Sequence, residues 1–503
     1  MSLKRYWVAL SGSILFPAAA FAQQVRVTEG AGSTIFGNYC ENCHGNPKVD
    51  SAPIPALLKQ MTPEKIYAAL TTGDMVNQAK ELTDAQKRDI AEWVGGRKLD
   101  TTDSGDARNM PNRCPSNPPL NEAALRDTGA PAWNGWSDIN NMRYQPAKAA
   151  GLSAASVARL QLKWAFGLPG AAAVYGQPTI VDGRVYVSAD SAWIYSLDAT
   201  TGCVHWSFQA QSGVRSAISL GPVKPGSNKF AAYFGDIHGN VYAVDAANGE
   251  LLWKHAVDPH PLSRITGGVR VYNGKVYVPV ASLEEPESSS FNYLCCTFRG
   301  MVAALSAETG KQVWKTYTID QAATPRTTPD GKKFMGPSGA GVWSPTVIDP
   351  KKNAIYFTTG NAFSAPDVGR SDGLMAMDLD TGKILWTQQD EANDVWHTGC
   401  VQGPPPAGFP PKNATVMLPG VPPPGRGGRG PVRQQPPMPD SYYCPTETEN
   451  PDWDFSAGVM LVNLPSGKRL LVAGQKAGLV WAHDPDRGGA LVWRSDVSRG
   501  QIV

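Results

Sequence analysis

The chain has 503 residues, with 46 Lys and Arg against 44 Asp and Glu. A formal charge of +2, without any run of about five like charges, provides no field for nucleic acid, and that class of partner is excluded at the outset. The 42% hydrophobic content rules out global disorder, while 51 Gly and 42 Pro, well above the usual share of about 12%, demand frequent turns and leave little room for long helices.

Residues 1–22 carry Lys4 and Arg5, an apolar run from Tyr6 to Phe16, and Ala20-Phe21-Ala22 ahead of Gln23. This is the layout of a cleavable export signal. Ser11, Gly12, Ser13 and Pro17 interrupt the run, which falls short of the roughly 20 residues of a membrane span. The expectation is a periplasmic or secreted protein without a membrane span in its mature form, in a compartment where cysteines can pair.

Within residues 25–100, Cys40-Glu41-Asn42-Cys43-His44 is C-x-x-C-H, the attachment pattern of c-type haem. Two thiols three residues apart each reach one vinyl group, and the imidazole that follows is aimed at the iron. Neither a zinc half-site nor a redox C-x-x-C needs that histidine. The sixth iron ligand is expected to be Met75, in Thr71-Thr72-Gly73-Asp74-Met75, because a neutral sulfur favours electron acceptance over oxygen binding. Met61, the alternative, precedes Thr62-Pro63, an N-cap followed by the first helical position, and is expected to pack as a staple. A further helix starts at Thr83, where Thr83 and Gln86 make a capping box and Ile90, Trp93 and Val94 an apolar face. These parts resemble a small all-α class I cytochrome c. Residues 101–130 read as a linker.

From residue 131 to 503 the chain repeats itself. Asp198-Ala-Thr-Thr-Gly202 through Trp206 recurs as Asp245 to Gly249 and Trp253, Ser306 to Gly310 and Trp314, Asp378 to Gly382 and Trp386, and, one residue longer, Asp484 to Gly488 and Trp493. Each copy follows a strand such as Val276-Tyr-Val-Pro. The unit is therefore strand, Asx-type turn, strand ending in Trp, with Gly supplying the positive φ and Trp packing between sheets. Units of this kind bury their faces by stacking radially, as a β-propeller.

These repeats resemble the quinoprotein alcohol dehydrogenases, whose all-β eight-bladed propeller holds pyrroloquinoline quinone (PQQ) on its axis. Trp133-Asn-Gly-Trp136 through Pro146, and Leu160-Gln-Leu-Lys-Trp164, are similar to that family's first strand, which normally completes the last blade. Five Trp-closed repeats leave about three blades unaccounted for after Val503, so the chain is expected to be a fragment or to close its ring abnormally, since an open propeller leaves unpaired edges. A haem domain ahead of such a propeller is most similar to cytochrome-type polyvinyl-alcohol dehydrogenases, and Cys295-Cys296-Thr-Phe-Arg-Gly300 points the same way.

The resemblance implies a site. Trp343, in Gly341-Val-Trp-Ser-Pro345, would floor the quinone, and Asn361, after Thr359-Gly360, would give its amide oxygen to Ca²⁺, a cation that prefers hard oxygen ligands. The calcium carboxylate falls on Glu284, with Glu285 next in line, although residues 285–297 intervene before Arg299-Gly300. Asp378 stands where the resemblance puts the general base that takes the alcohol proton; every repeat has Asp or Ser in that column, so a plain turn role competes. Lys476 would lie on a quinone oxygen, and Thr266 would contact a PQQ carboxylate. Cys295 and Cys296 would close a vicinal disulfide over the other quinone face, or else enter two separate bridges. Cys400 and Cys444 bracket the Pro/Gly-rich insertion 403–440 and would tie it off; the pairing of Cys114 and Cys203 stays open.

The implied activity is oxidation of secondary alcohol groups, of polyvinyl alcohol first of all, with PQQ, Ca²⁺ and haem c, and a cytochrome c-type protein as the final electron acceptor. A quinohaemoprotein for small alcohols is the nearest rival. A propeller scaffold for outer-membrane assembly, similar in repeats, would lack the C-x-x-C-H motif, and an inactive fragment is the third reading.

Overall fold

The structure, a computed structural model, describes residues 30–44, 52–53, 55–59, 61–99, 105–121, 133–145, 147–288, 294–397 and 452–498. The export signal, the insertion 403–440, Cys400 and Cys444 lie outside the described residues.

The N-terminal domain consists of α1 (Gly30–Tyr39), α2 (Glu41–His44), α3 (Pro55–Leu58), α4 (Pro63–Thr71) and α5 (Asp84–Gly95). Thr62 caps α4 by accepting the Lys65 N–H, with Pro63 at the first position, where a missing N–H goes unnoticed. Thr83 and Gln86 form the capping box of α5, which ends at Gly96 with φ +73°. Ile35, Phe36, Ile66, Leu70, Ile90 and Val94 meet as the core, with Met61, Met75 and Trp93 packed against it.

Five antiparallel sheets follow in chain order, at 179–209, 219–256, 270–317, 347–389 and 460–496, each a four-stranded meander, the third with a short added strand, Ser263–Arg264, on its second strand. We call them blades 1 to 5. Each repeat identified in the sequence is the outer hairpin of one blade. The turn aspartate accepts N–H bonds two and three residues on, as Asp198 does from Thr200 and Thr201 at 3.0 and 2.7 Å. The next repeat explains why glycine follows: at Gly202, Gly249, Gly310 and Gly382, φ lies between +70° and +79°, and an added Cβ would sit 2.5–2.6 Å from the indole of Trp164, Trp206, Trp253 or Trp314. Each of those indoles donates Nε1–H to a carbonyl in the same turn, for example Trp253 to Ala307 at 2.9 Å. Glycine is thus required twice, once by φ and once by the ring lying on it.

No single core holds the propeller together. Apolar residues of one blade pack on the next: Tyr186 and Trp206 on Leu220, Phe230 and Tyr242, Tyr277 and Trp314 on Ile355, Phe357 and Met375, Tyr356 and Leu374 on Phe455 and Leu471. The described blades do not close a ring. Trp493 is 41% exposed and Leu162 is 86% exposed, each on an uncovered outer edge.

Residues 101–130, expected as a linker, are bound where they are described. Arg113 pairs with Val204 beside blade 1, Arg184 holds Asn117 Oδ1 at 2.8 Å, and Cys114 and Cys203 are disulfide-bonded, which settles a pairing that the sequence left open. In a four-stranded meander, the start of the first strand, the end of the second, the start of the third and the end of the fourth share one face. The haem domain docks on that face: Gly96 O accepts from Gly213 N at 2.7 Å, Lys59 O from Gln211 Nε2 at 3.2 Å, and Glu287 Oε2 from Ser33 Oγ at 3.1 Å.

Candidate cofactor pocket and haem site

α2 places Cys40, Cys43 and His44 within one turn, with Cys40 O accepting the N–H of both Cys43 and His44. Neither thiol is in a disulfide. His44 is buried, and its Nδ1 is 2.8 Å from Pro53 O. A carbonyl only accepts, so Nδ1 carries the proton and Nε2 is left for a metal. Met75 and Met61 are both half-buried against the same core. These donors fit a thioether-linked haem.

The second site gathers residues from blades 3, 4 and 5 on the face that carries the haem domain. Trp343 precedes the first strand of blade 4, Asn361 follows its second, Asp372 precedes its third and Asp394 follows its fourth. Asp452 and Asp454 lead into blade 5, and Lys476 follows its second strand. Lys476 Nζ lies 2.9 Å from Asp452 and 2.6 Å from Asp454, and 5.6 Å from the centroid of the Trp343 ring. Asp454 Oδ1 also accepts the Asn361 N–H at 2.7 Å. Gly360 permits this closeness, because a Cβ there would fall 2.4 Å from Asp454 Oδ1 and 3.1 Å from Trp343 Nε1. Asp394 fixes the chain that carries the aspartates by accepting the N–H of Asp452 at 3.2 Å and of Trp453 at 2.7 Å.

The amide of Asn361 is oriented by its donors. Its Nδ2 gives hydrogen bonds to Ala362 O at 3.0 Å and Trp396 O at 2.6 Å, so its oxygen is the end offered to a ligand. Trp343 is half-buried, and its carbonyl accepts the Thr266 hydroxyl at 2.8 Å. Cys295 and Cys296 are disulfide-bonded to each other and buried; Met335 pairs with both through its backbone.

Acid groups dominate the electrostatics. Burial, reinforced by Asp454, pushes the Asp452 carboxyl up to about 7 against the pull of Lys476. Burial and the Asp454 charge bring Asp394 to about 6. Burial, then Asp454 and Asp452, raise Glu285 to about 8, and burial with Asp454, Asp394 and Asp367 pushes Asp372 well above the carboxylate range. Although burial opposes it, Asp454 and Asp452 hold the Lys476 ammonium above its ordinary value. Like charges crowded in a buried site favour a cation among them. Among the described residues no three His, Cys, Asp or Glu side chains form a metal cluster by themselves. The Asn361 amide oxygen and the neighbouring carboxylates are an all-oxygen set, which fits Ca²⁺.

The structure brings together Trp343, Asn361, Lys476 and Thr266, but not Asp378. That residue closes the third strand of blade 4, Gly373–Asp378, whose other end adjoins Asp372; six residue steps along the strand put the two roughly 20 Å apart, on opposite faces. Its carboxylate accepts from Asp380 N, Thr381 N and Thr381 Oγ1 at 2.8–3.0 Å, and from Asn353 Nδ2 at 3.0 Å. It does for its turn what Asp198 does for blade 1. Glu284 is buried, with its oxygens accepting the N–H of Thr297 at 2.6 Å and of Phe298 at 2.8 Å; it is Glu285 whose carboxyl senses Asp452, Asp454 and Lys476. The residues missed from sequence are Asp452 and Asp454. Their segment, Asp452-Trp453-Asp454-Phe455, stands out in the sequence as the restart after the insertion, and two aspartates flanking an aromatic there were the available signal.

Residues 133–416 match the family model "Glucose/ethanol/alcohol dehydrogenase, beta-propeller domain", and residues 28–94 match "Cytochrome C oxidase, cbb3-type, subunit III". The chain is 32% identical, over 99% of its length and 72% of the relative's, to a polyvinylalcohol dehydrogenase of Pseudomonas sp.. It belongs to the PQQ β-propeller dehydrogenase family. A second relative, the quinohemoprotein alcohol dehydrogenase ADH-IIG of Pseudomonas putida, is 29% identical over 51% of this chain and 38% of its own. In fold, the chain is similar to the crystal structure of the quinohemoprotein alcohol dehydrogenase of Comamonas testosteroni, with a TM-score of 0.51, 20% identity, and coverage of 75% of this chain and 51% of that one. As a member of this family with a cytochrome domain, the chain is an alcohol-oxidising quinoprotein whose cofactors are PQQ and haem c. Among the described residues no helix is long and apolar enough to cross a membrane.

Proposed function

We propose that this protein oxidises secondary alcohol groups of polyvinyl alcohol in the periplasm and passes the electrons through its own haem to a cytochrome c-type acceptor. The observation that carries the reading is Asp454, held between the Asn361 backbone N–H and the Lys476 ammonium beside the Trp343 indole, on the face where the haem domain docks. Two relatives that match over 99% of the chain are polyvinylalcohol dehydrogenases, which favours the polymer over small alcohols.

PQQ with Ca²⁺ supplies an electrophilic two-electron acceptor, and haem c a one-electron relay. In this reading the chain does the rest. Trp343 presents a flat apolar floor, held through its carbonyl by the Thr266 hydroxyl; Asn361 Oδ1, Glu285 and Asp452 supply oxygens for the cation, and Lys476 binds an anionic oxygen. Glu284, the expected cation ligand, instead holds the loop after the Cys295–Cys296 disulfide, which borders the pocket. Asp454 accepts the hydroxyl proton; two donors hold it in place, and position counts for more than basicity in such a step. Met75 is the proposed sixth iron ligand and His44 the fifth.

Mixing the purified chain with PQQ, Ca²⁺ and polyvinyl alcohol should reduce the haem, seen in its α-band. Reduction by ethanol or butanol but not by polymer would reassign the substrate to small alcohols, and reduction by neither would end the proposal.

A further inference from the structure

The turn Glu284–Glu287 lies between the two cofactor sites, and its three glutamates face three ways. Glu284 accepts the N–H of Thr297 and Phe298, just after the vicinal disulfide. Glu285 faces Asp452, Asp454 and Lys476. Glu287, only 6% exposed, turns to the haem domain, where it accepts the Ser33 hydroxyl at 3.1 Å. Beside it is Lys59, 4% exposed, with Glu287, Arg264 and Glu41 as its charged neighbours.

From Glu287 a run of side chains leads to the haem ligand. Lys59 Nζ lies 5.1 Å above the Trp93 ring, Trp93 packs on Phe36 at 5.3 Å, and Phe36 is 6.2 Å from the His44 ring. Buried charges are costly unless paired, and truncating one partner of such a pair leaves the other exposed to the full penalty. Nothing in the cytochrome fold alone requires a carboxylate from the propeller here. We propose that Glu287 is a positioning residue, which seats the haem domain on the pocket face through Ser33 and Lys59 from the same helical turn that presents Glu285 to the pocket. Its consequence for electron transfer rests on the function proposed above; its consequence for docking does not.

Hydrogen exchange on the full chain loaded with haem, PQQ and Ca²⁺ tests this in Glu287→Gln and Ser33→Ala. Exchange in residues 30–44 should be about tenfold faster, the factor for one charge-assisted hydrogen bond. Amides of blades 2 and 3 and the haem spectrum should be unchanged, and the double variant should be little worse than Glu287→Gln alone. Haem reduction by alcohol should slow relative to reduction of a dye that takes electrons directly from the pocket. Exchange within about twofold of wild type in both variants, or an equal rise throughout the blades, would overturn the proposal. If wild type reduces neither dye nor haem, the functional reading fails while the exchange result still decides the docking.

Discussion

Asp378 closes a blade strand and Asp454 lies in the segment leading into blade 5, and the face on which each lies separates their roles. Asp378 sits with the Asx turns, its carboxylate bonded to its own hairpin; Asp454 sits with Trp343, Asn361 and Lys476. Asp454→Asn should abolish alcohol-driven haem reduction with the haem spectrum intact, whereas Asp378→Asn should keep turnover and lower stability by about 1 kcal/mol, the worth of a turn-capping bond. Stopped-flow haem reduction and denaturant melts of both variants check this; inactive Asp378→Asn with active Asp454→Asn would reverse the assignment. At the haem, Met75→Ala should lower the reduction potential in a redox titration, because loss of an axial thioether removes the ligand that raises it, while Met61→Ala should leave the potential alone.

At the scale of the element, the repeated unit is an interlock in which one blade's Trp lies on the next blade's Gly. Gly310→Ala would place a Cβ 2.6 Å from the Trp253 indole at φ +70°, so about 1–3 kcal/mol of backbone strain is expected before the ring moves, readable as a lower urea midpoint. Between blades 4 and 5, Arg469 bridges Asp349 at 2.6 Å and Asp486 at 3.0 Å. The Arg469 hydrogen bond, against a small burial penalty, holds the Asp486 carboxyl down at about 2. A carboxyl depressed in the folded state stabilises above its unfolded value and loses that contribution as pH falls through the folded one. The melting temperature of wild type should therefore fall more steeply between about pH 4 and 2 than that of Asp486→Asn; parallel curves would remove the bridge from the account.

Over the whole molecule, two domains with separate cores share one working face. The haem domain touches blades 1, 2 and 3 on the side where Trp343, Asn361 and Asp454 lie, and the segment between the domains is fastened to blade 1 by Cys114–Cys203, 89 residues apart. Closing so long a loop is worth about 4 kcal/mol in the chain-entropy account. Replacing both cysteines by Ser should lower the stability of the propeller by that order in a denaturant melt while leaving the haem transition in place; a loss confined to the haem domain would mean that the bridge serves docking instead.

Local chemistry fixed what could be read directly from the residues. C-x-x-C-H specifies haem because three reactive groups must be adjacent, the caps at Thr62 and Thr83 need only their own helices, and the Asp, Gly and Trp spacing specifies a stacked meander because turn and ring are set within ten residues. Trp343, Asn361 and Lys476, expected from the resemblance, come together in the structure because their motifs lie next to strand ends. Which aspartate enters the pocket was decided only by the tertiary structure. Asp378 closes the third strand of blade 4 on the turn side, while Asp454 lies in the segment before blade 5 and reaches Asn361 across 93 residues of chain. The choice between Glu284 and Glu285, the Cys114–Cys203 bridge and the seat of the haem domain depend in the same way on segments that meet only once the blades have stacked, and such long-range meetings leave no periodic trace in the chain.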